Sequence, residues 1–360
     1  MKIAYGVHGF GRGHAMRARA VLPELFRRHE MLVLAGGDAY HALSTDFAVT
    51  RIPTLKYHYN RRGRLSNYQN VKRNLSMVLD LMLKGPTFQT IEQTLRDFKP
   101  DVVLTDSEAY THRVAAHLSI PRITFDHFGL LVYCRLELSA GDRLIRWGNA
   151  FVYGWLFGEP ERAVVSWFAD APTRRPGIQM VGAVIRPEVL RMTATRGDYL
   201  LAYVSKPDEF TPQVEHALRS AGCPIRIYGT PRRGVDGTLE FREIANLPFI
   251  EDLAGCRGVI ATTGNQLCGE VVHFRKPMLG TPMSCLEQRL NADAIERMGV
   301  GMQVPPRRVT ADVVQRFLAR EAEFAANFHG SSRDGAQEAL EAIERFATEL
   351  PQGSGRGEQA

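Results

Sequence analysis

The sequence predicts an α/β protein built from two tandem Rossmann-like domains, each a doubly wound parallel sheet. Short apolar runs alternate with helical patterns through the first half of the chain, and this alternation is typical of a parallel sheet covered by helices on both faces. The alternation starts again near residue 198. A chain of 360 residues is long enough for two such domains.

The first half of the chain contains the first series of predicted elements. Its predicted strands are short apolar runs, at 2–7, 31–35, 48–52, 101–105 and 121–125. Its predicted helices have apolar residues at helical spacing, at 14–29, 38–45, 70–84, 87–98 and 108–118. Residues 54–70 are polar and basic, and this composition indicates a loop inserted between the sheet elements.

Residues 129–170 are rich in aromatic side chains and mostly helical in pattern, with Trp147, Phe151 and Trp155 among them. The pattern favours a pair of helices in the interior of the first domain. The alternative is an exposed apolar surface, which would suit an apolar acceptor molecule or a membrane.

The second half repeats the strand–helix alternation. Strands are predicted at 199–204, 225–229, 238–242, 258–262 and 277–280. Helices are predicted at 210–221, through Glu270, at 310–328 and at 335–349. The predicted organisation is a first domain at 1–185, a linker at 186–197, a second domain at 198–350 and a disordered tail at 351–360.

Composition and charge exclude several classes of protein. The formal net charge of +6 is modest and spread along the chain, whereas a nucleic-acid binder concentrates basic and aromatic residues on one element. The five cysteines include no CxxC pair, so we expect a reduced, cytoplasmic protein without structural zinc. No apolar stretch of about 18 residues and no signal-peptide pattern is present, so we expect no segment that crosses a membrane.

The first strand ends in a glycine-rich turn that leads into a helix. Gly9, Gly11 and Gly13 alternate with other residues, and His14 follows them. Glycines let a ligand approach the main chain closely, and the N-terminus of a helix favours negative charge. His14 stands where it could move a proton.

A dinucleotide-binding turn is the alternative interpretation of these glycines. The G-x-G-x-x-G fingerprint does not fit, because the third glycine comes one position early. Asp38, after the second strand, is a passable acid for the ribose of NAD. The glycine turn alone therefore does not decide between a dehydrogenase and another enzyme.

The run from Gly9 to Ala18 resembles the G-x-G-x-G-H-x-x-R opening of the inverting GT-B glycosyltransferases. That group includes the UDP-glucuronosyl, plant and antibiotic transferases and the lipid-linked GlcNAc transferase of peptidoglycan synthesis. The resemblance implies the GT-B fold. It also implies a first domain that binds the acceptor and a second domain that binds the nucleotide sugar.

A second segment, 259–301, carries a more specific likeness to that family. It has a small-residue turn, a glutamate further along the next helix, two prolines, an acidic–glutamine pair, Asn-Ala and Gly-x-Gly. These are Thr262–Gln266, Cys268–Glu270, Pro277, Pro282, Glu287–Gln288, Asn291–Ala292 and Gly299–Gly301. The chain departs from the family at Thr263, where histidine is common, at Arg275, which replaces a glycine, and at the glycine-poor turn 204–207.

The resemblance implies that His14 is the general base, in a first turn that also includes Gly11, Arg12 and Gly13. The alternative role for His14 is to cap its helix or to contact phosphate. An acid that orients His14 should come from the end of another strand. Asp106 is the first candidate for this role and Asp126 the second, although each is also a plausible helix cap.

The donor site is predicted in the second domain. Its predicted residues are Thr263, Gly264, Asn265 and Gln266 for the diphosphate, Glu270 for the ribose, Glu287 and Gln288 for the sugar, and Ile250 for the nucleobase. The ribose role of Glu270 and the nucleobase role of the main chain near Ile250 are implied by the resemblance. Arg226 and Arg232 are further candidates for the diphosphate.

The predicted function is a metal-independent inverting glycosyltransferase with no cofactor. Its predicted donor is a nucleotide diphosphate sugar, with UDP or dTDP as the carrier, and its acceptor is a hydroxyl of a lipid-linked sugar or a natural product. We expect no nucleic-acid partner and a cytoplasmic location, and the alternative location is peripheral, at the inner face of the membrane. The alternatives are a GT-B UDP-sugar 2-epimerase or hydrolase, an NAD-dependent oxidoreductase and a non-catalytic binding protein.

Overall fold

The computed structural model describes residues 1–55, 67–329 and 333–350, without the side chains of Arg12 and of 67–71. Most of the predicted basic insertion at 54–70 and all of the predicted tail at 351–360 lie outside the described residues. The chain divides into two compact units. Unit 1 combines Met1–Val184 with the chain from Asp334 onwards, and unit 2 is Ile185–Arg333.

The described part of unit 1 contains a seven-stranded sheet. Its strands are β1 Lys2–Val7, β2 Glu30–Ala35, β3 Val49–Arg51, β4 Val102–Asp106, β5 Arg122–Asp126, β6 Arg162–Ser166 and β7 Ile178–Val181. They pair in parallel in the order β3-β2-β1-β4-β5-β6-β7. The first five strands were predicted. The sixth and seventh were not: the apolar run of the sixth lies inside the aromatic stretch interpreted as helical, and 178–181 was assigned to no element.

The described part of unit 2 contains a second seven-stranded sheet. Its strands are β8 Leu200–Tyr203, β9 Ile225–Tyr228, β10 Gly234–Asp236, β11 Leu239–Phe241, β12 Gly258–Ala261, β13 Met278–Gly280 and β14 Gly301–Gln303. The order is β10-β11-β9-β8-β12-β13-β14, with one antiparallel pair, β10 with β11. The α/β class and the two parallel sheets are therefore as predicted.

Helices connect the strands in both units. The first seven are α1 Arg12–Arg28, α2 Gly37–Leu43, α3 Asn67–Leu83, α4 Pro86–Phe98, α5 Ala109–His117, α6 Gly129–Tyr133 and α7 Ala140–Phe157. The others are α8 Pro187–Leu190, α9 Pro212–Arg219, α10 Asn246–Gly255, α11 Asn265–His273, α12 Leu286–Arg297, α13 Ala311–Ala319, α14 Glu321–Ala326 and α15 Gly335–Glu349. Within the described ranges, none of them combines the length and apolar character needed to cross a bilayer.

The C-terminal helix α15 packs in unit 1, whereas the predicted boundary placed it in the second domain. Its apolar face, which includes Leu340, Ile343 and Phe346, joins the core that surrounds β1 and α1. Glu338 also accepts a hydrogen bond from the backbone N–H of Gly182, at 2.8 Å. The amphipathic pattern of 335–349 predicts a helix with one buried face, but it does not say which sheet covers that face.

The aromatic helix α7 buries one face and exposes the other. Tyr153 and Phe157 are buried, whereas Leu144 is 70% and Trp147 64% exposed. Phe151 is also exposed, and its ring stacks on that of Trp147 with centroids 5.8 Å apart. The expectation of an interior helix pair is therefore wrong for α7. The exposed apolar surface, which was the alternative, is what the structure has.

Each sheet reverses its strand order at one point. In unit 1 the chain moves outward from β1 to β3 and then returns to β4 on the other side of β1. In unit 2 the same reversal lies between the neighbouring strands β8 and β12. The loops after the two neighbouring strands leave in opposite directions at such a point, and the crevice between them is where open α/β sheets bind ligands. The fold therefore predicts two ligand-binding edges.

The turn after β1 packs directly against the turn before α2. A Cβ atom added to Gly9 would lie 2.3 Å from the carbonyl oxygen of Gly36, whereas one added to Gly13 would have nothing within 4 Å. We expect Gly9→Ala to lower the free energy of unfolding by about 1–3 kcal/mol, because backbone must move to admit the methyl group. Gly13→Ala, the matched control inside α1, should raise it by about 0.5–1 kcal/mol.

Urea denaturation of the wild type and both variants measures these changes. Equal effects of the two substitutions would contradict the proposed close packing at Gly9.

Candidate active site

The first candidate site lies at the reversal point of the unit 1 sheet. His14 is in the first turn of α1, which follows β1, and Asp106 is the last residue of β4. The register pairs Val7 of β1 with Asp106, so both strands end at the same edge. His14 Nδ1 lies 2.7 Å from Asp106 Oδ1. The structure therefore brings together the two residues predicted as base and orienting acid.

A third residue, Arg17, completes this cluster. Its Nε donates to Asp106 Oδ2 at 2.8 Å and its Nη2 donates to Asp106 Oδ1 at 2.8 Å. Arg17 lies three residues after His14, on the same face of α1. Sequence reasoning placed Arg17 in the family motif but gave it no role. The spacing of three from His14 was the available signal.

The protonation state of the cluster follows from these contacts. Asp106 is fully buried, and burial alone would raise its pKa, but the charges of Arg17 and His14 and their hydrogen bonds lower it below the ordinary value. The carboxylate is then ionised and accepts hydrogen bonds only. We assign the proton of the 2.7 Å bond to His14 Nδ1, which leaves the lone pair on Nε2; Arg17 Nη2 also lies 3.2 Å from His14 Nδ1.

His8 lies beside His14 at the end of β1. The two ring centroids are 5.0 Å apart, and the rings are nearly perpendicular. Burial lowers the pKa of His8 to about 3, with a further contribution from His14. His8 is therefore neutral near pH 7 and adds no positive charge to the cluster. Its backbone N–H donates to the carbonyl oxygen of Asp106 at 3.0 Å.

Asp38 braces the glycine turn. Its side chain accepts from the backbone N–H of Gly11 at 3.1 Å, and its own N–H donates to the carbonyl oxygen of Gly9 at 2.8 Å. Gly11 has φ of +85°, which favours glycine. The acid that the dinucleotide alternative would use for a ribose is thus hydrogen-bonded to the turn itself.

Asp126, the second candidate for the orienting acid, holds other elements together. Its Oδ2 accepts from Tyr153 Oη at 2.7 Å and from Ser107 Oγ at 3.2 Å, and its Oδ1 accepts from the N–H of Gly129 at 2.6 Å. Burial and the charge of Asp106 raise its pKa. Asp126 therefore fastens α6 and α7 to the end of β5, while Asp106 contacts His14.

The second candidate site lies at the reversal point of the unit 2 sheet. The turn after β12 contains Thr263 and Gly264, and α11 begins directly after it. Thr263 Oγ1 donates to the carbonyl oxygen of Gln288 at 2.7 Å, and Asn291 Nδ2 donates to the carbonyl oxygen of Thr263 at 2.9 Å. Bonds from α12 therefore fix the turn, and the first N–H groups of α11 begin at a defined place.

The loop before α12 is fastened by the same helix. Gln288 Oε1 accepts from the backbone N–H of Met283 at 2.9 Å. Glu287 and Gln288 both lie in the first turn of α12. The predicted sugar-binding pair thus stands next to the predicted diphosphate turn, and Gln288 shapes the loop between them.

Glu270 is an ion-paired residue. Only 1% of it is exposed, and Arg186 donates to its two oxygens, from Nε at 2.6 Å and from Nη2 at 2.7 Å. Gln266 Nε2 donates to Glu270 Oε1 at 2.7 Å. Sequence reasoning missed Arg186, which lies 84 residues from Glu270 and inside the predicted linker. A carboxylate accepts about four hydrogen bonds, so these three leave room for about one more.

A family profile extends over both candidate sites. The model for glycosyl transferase family 1 matches residues 1–321. The chain belongs to this family.

Solved structures share the fold of this glycosyltransferase. UGT2 of Phytolacca americana, complexed with UDP-2fluoro-glucose and pterostilbene, has a TM-score of 0.67 and 14% identity, over 97% of this chain and 99% of that one. VinC in complex with dTDP has a TM-score of 0.61 and 15% identity, over 99% and 100%. MurG of Acinetobacter baumannii has a TM-score of 0.60 and 11% identity, over 96% and 99%. Among curated proteins, none matches the sequence significantly.

The predicted nucleobase role of the main chain near Ile250 does not fit the structure. Ile250 is buried in the middle of α10, where helical hydrogen bonds engage the main chain, so that main chain is not free to contact a nucleobase. The signal was the helical pattern of 246–255, which sequence reasoning left unassigned. Within the part of the chain that is described, no group of three or more His, Cys, Asp or Glu residues is placed to hold a metal ion.

The two arginines considered for the diphosphate form ion pairs inside unit 2. Arg226 Nη1 donates to Asp252 Oδ1 at 2.6 Å, and Arg232 Nη1 donates to Glu215 Oε2 at 2.9 Å. Each also lies over an aromatic ring, Tyr199 for Arg226 and Phe241 for Arg232. The sequence alone does not show these partners, so the positive charge of the two arginines suggested a ligand.

The pKa shifts of two neighbouring aspartates predict opposite pH dependences of stability. The pKa of Asp106 is lowered by folding, so its contribution to the free energy of unfolding is present above about pH 4 and is lost as pH falls further. The pKa of Asp126 is raised, so its contribution is present below about pH 4 and is lost as pH rises. We therefore expect Asp106→Asn to cost about 3–5 kcal/mol near pH 7, where it leaves Arg17 without its charged partner, and less at pH 3.

Asp126→Asn is the matched variant, and its cost should shrink as pH rises. Urea unfolding of the wild type and both variants between about pH 3 and pH 7 measures the two differences. Parallel pH dependences in the two variants would contradict the assigned ionisation states.

Proposed function

We propose that this glycosyltransferase moves a sugar from a nucleotide diphosphate to an acceptor hydroxyl with inversion at the anomeric carbon. The His14–Asp106 pair carries this proposal. A single displacement needs a base for the acceptor proton, and His14 Nε2 has the free lone pair. The His14 side chain is 23% exposed, so a substrate can reach it from solvent.

The proposed step forms one bond and breaks one. The acceptor oxygen attacks the anomeric carbon while its proton passes to His14 Nε2. The bond between the anomeric carbon and the diphosphate oxygen breaks, and the electron pair leaves with the nucleotide diphosphate. Asp106 accepts the Nδ1–H bond throughout and stabilises the imidazolium that forms, because it is already ionised and buried.

Unit 2 is the proposed donor-binding part. The N–H groups that open α11 offset negative charge on the departing diphosphate, and the bonds to Thr263 hold them in place before reaction. Glu270 is proposed to accept from a ribose hydroxyl through its remaining lone pair, and Glu287 and Gln288 to contact the sugar. This arrangement calls for no metal ion.

UDP is the proposed carrier, with dTDP as the second. The solved UGT2 complex contains a UDP sugar and the VinC complex contains dTDP, so the fold accommodates either pyrimidine carrier in those proteins.

An apolar acceptor is proposed for unit 1. The outer face of α7 exposes Leu144, Trp147, Phe151 and Trp155, which recur at helical spacing. Exposed aromatic side chains of this kind suit the apolar part of a lipid-linked sugar or of an aromatic natural product. A peripheral contact with an anionic membrane at the cytoplasmic side is part of the lipid-linked version of this proposal.

Replacement of His14 tests the proposed base. We expect His14→Gln to lower kcat about 10²–10⁴-fold, because the acceptor proton loses its base, and to leave the Kd for UDP unchanged. Steady-state kinetics and isothermal titration calorimetry measure the two quantities. His41→Gln is the matched control, on a neighbouring helix, and should retain wild-type kcat.

Proton NMR of the product establishes the stereochemistry, because inversion changes the anomeric coupling constant. Wild-type turnover in His14→Gln, retention at the anomeric carbon, or binding of NAD in place of UDP and dTDP would each contradict the proposal. Release of free sugar from the donor without an acceptor would favour the epimerase or hydrolase alternative.

A further inference from the structure

We propose that Arg17 is a positioning residue that sets the tautomer of His14 by holding Asp106 as a carboxylate in one orientation. The inference rests on the proposed function, because the tautomer matters for a base. It goes beyond that function by assigning a role to a residue that need not touch either substrate.

The geometry makes Arg17 the main partner of the buried carboxylate. The guanidinium donates to both oxygens, while His14 reaches only Oδ1, and Arg17 Nη2 also lies 3.2 Å from His14 Nδ1. Arg17 is 7% exposed, and its guanidinium carbon lies 5.9 Å from the centroid of the Phe125 ring. A planar fork held at two oxygens and beside a ring fixes the plane of the carboxylate. Oδ1 is thereby presented to His14 Nδ1.

Removal of the guanidinium charge changes which atoms of the Asp106–His14 pair carry protons. Burial by itself would raise the pKa of Asp106, and Asp126 on the neighbouring strand is a second buried acid. Without Arg17, the pair takes up one proton from solvent near neutral pH, and Asp106 holds it as a neutral acid. Its O–H then donates to His14 Nδ1, and the ring proton moves to Nε2. The contact between the two side chains remains, but the lone pair needed by the acceptor is gone.

Arg17 supplies the permanent positive charge among the described groups that face Asp106. The others are Tyr5, His8, His14, Asp126 and Tyr153. Burial keeps Tyr5 and Tyr153 uncharged by raising their pKa, and it keeps His8 uncharged by lowering its pKa. His14 itself must be neutral to act as a base. The ionised state of Asp106 therefore depends on Arg17.

The experiment compares variants of Arg17 that differ in charge and in shape. Arg17→Gln removes the charge and keeps one amide donor, whereas Arg17→Lys keeps the charge and loses the fork. Arg27→Gln is the matched control, since Arg27 lies on the same helix and is 65% exposed. Each protein is labelled with ¹⁵N-histidine, and the His14 signals are assigned from the spectrum of His14→Gln.

The ¹⁵N shifts report which ring nitrogen carries the proton, independently of any activity. We expect the Nδ1–H tautomer in the wild type, Arg17→Lys and Arg27→Gln, and a shift toward the Nε2–H tautomer in Arg17→Gln. A purely structural role of Arg17 would not move this equilibrium. An unchanged tautomer in folded Arg17→Gln overturns the proposal.

The pH profile of transfer gives the second readout. We expect Arg17→Gln to lose kcat by about 10²-fold or more near neutral pH, because a wrong tautomer costs up to about 10⁴-fold in a comparable dyad. Its activity should recover as rising pH ionises Asp106, while the KM and the Kd for UDP remain within about 2-fold of the wild type. A profile parallel to that of the wild type overturns the proposal.

Arg17→Met is the second neutral variant if Arg17→Gln does not fold. If neither folds, Arg17→Lys carries the test because it keeps the charge: the Nδ1–H tautomer in its ¹⁵N spectrum supports the proposal, and the Nε2–H tautomer overturns it. Absence of sugar transfer in the wild type would overturn the proposed function. The tautomer measurement would still decide the role of Arg17.

Discussion

A single buried carboxylate, that of Asp106, imposes its requirements on much of unit 1. A charged group that is buried away from solvent must be paired and hydrogen-bonded. Arg17 and His14, on one face of α1, provide these contacts. Helix α1 must then begin close to the end of β1, which requires a tight turn. Gly9 and Gly11 make that turn, and Asp38 braces it. The ion pair and the glycine turn are thus parts of one constraint.

The two units apply the same topology to different tasks. Both sheets reverse beside a strand whose following turn opens a helix, β1 in unit 1 and β12 in unit 2. At the edge of the unit 1 sheet, the functional groups are side chains that titrate or carry charge. At the edge of the unit 2 sheet, the turn consists of small residues held by hydrogen bonds from α12, which fix the start of α11. This division suits a base in one unit and anion binding in the other.

The sequence predicts this architecture well because its signals are local. Strand–helix alternation defines both sheets, and parallel strands that end at one edge bring Asp106 to His14 without further information. Pairings between distant residues were beyond such reasoning. Arg186 reaches Glu270 across 84 residues, and α15 returns to the first sheet after the whole of unit 2. Amphipathic spacing says that a face is buried, but not against which partner.

The exposed apolar face of α7 is not needed to hold the helix in place. Tyr153 and Phe157 anchor the helix, and Tyr153 donates to Asp126 at the sheet edge that also holds Asp106. Those inner contacts would be complete with polar residues at 144, 147, 151 and 155. Instead two tryptophans, a phenylalanine and a leucine face solvent there. A large apolar face of this kind is costly to leave exposed and is typical of a binding surface. Its anchor on β5, the strand next to Asp106, supports the acceptor role proposed for α7.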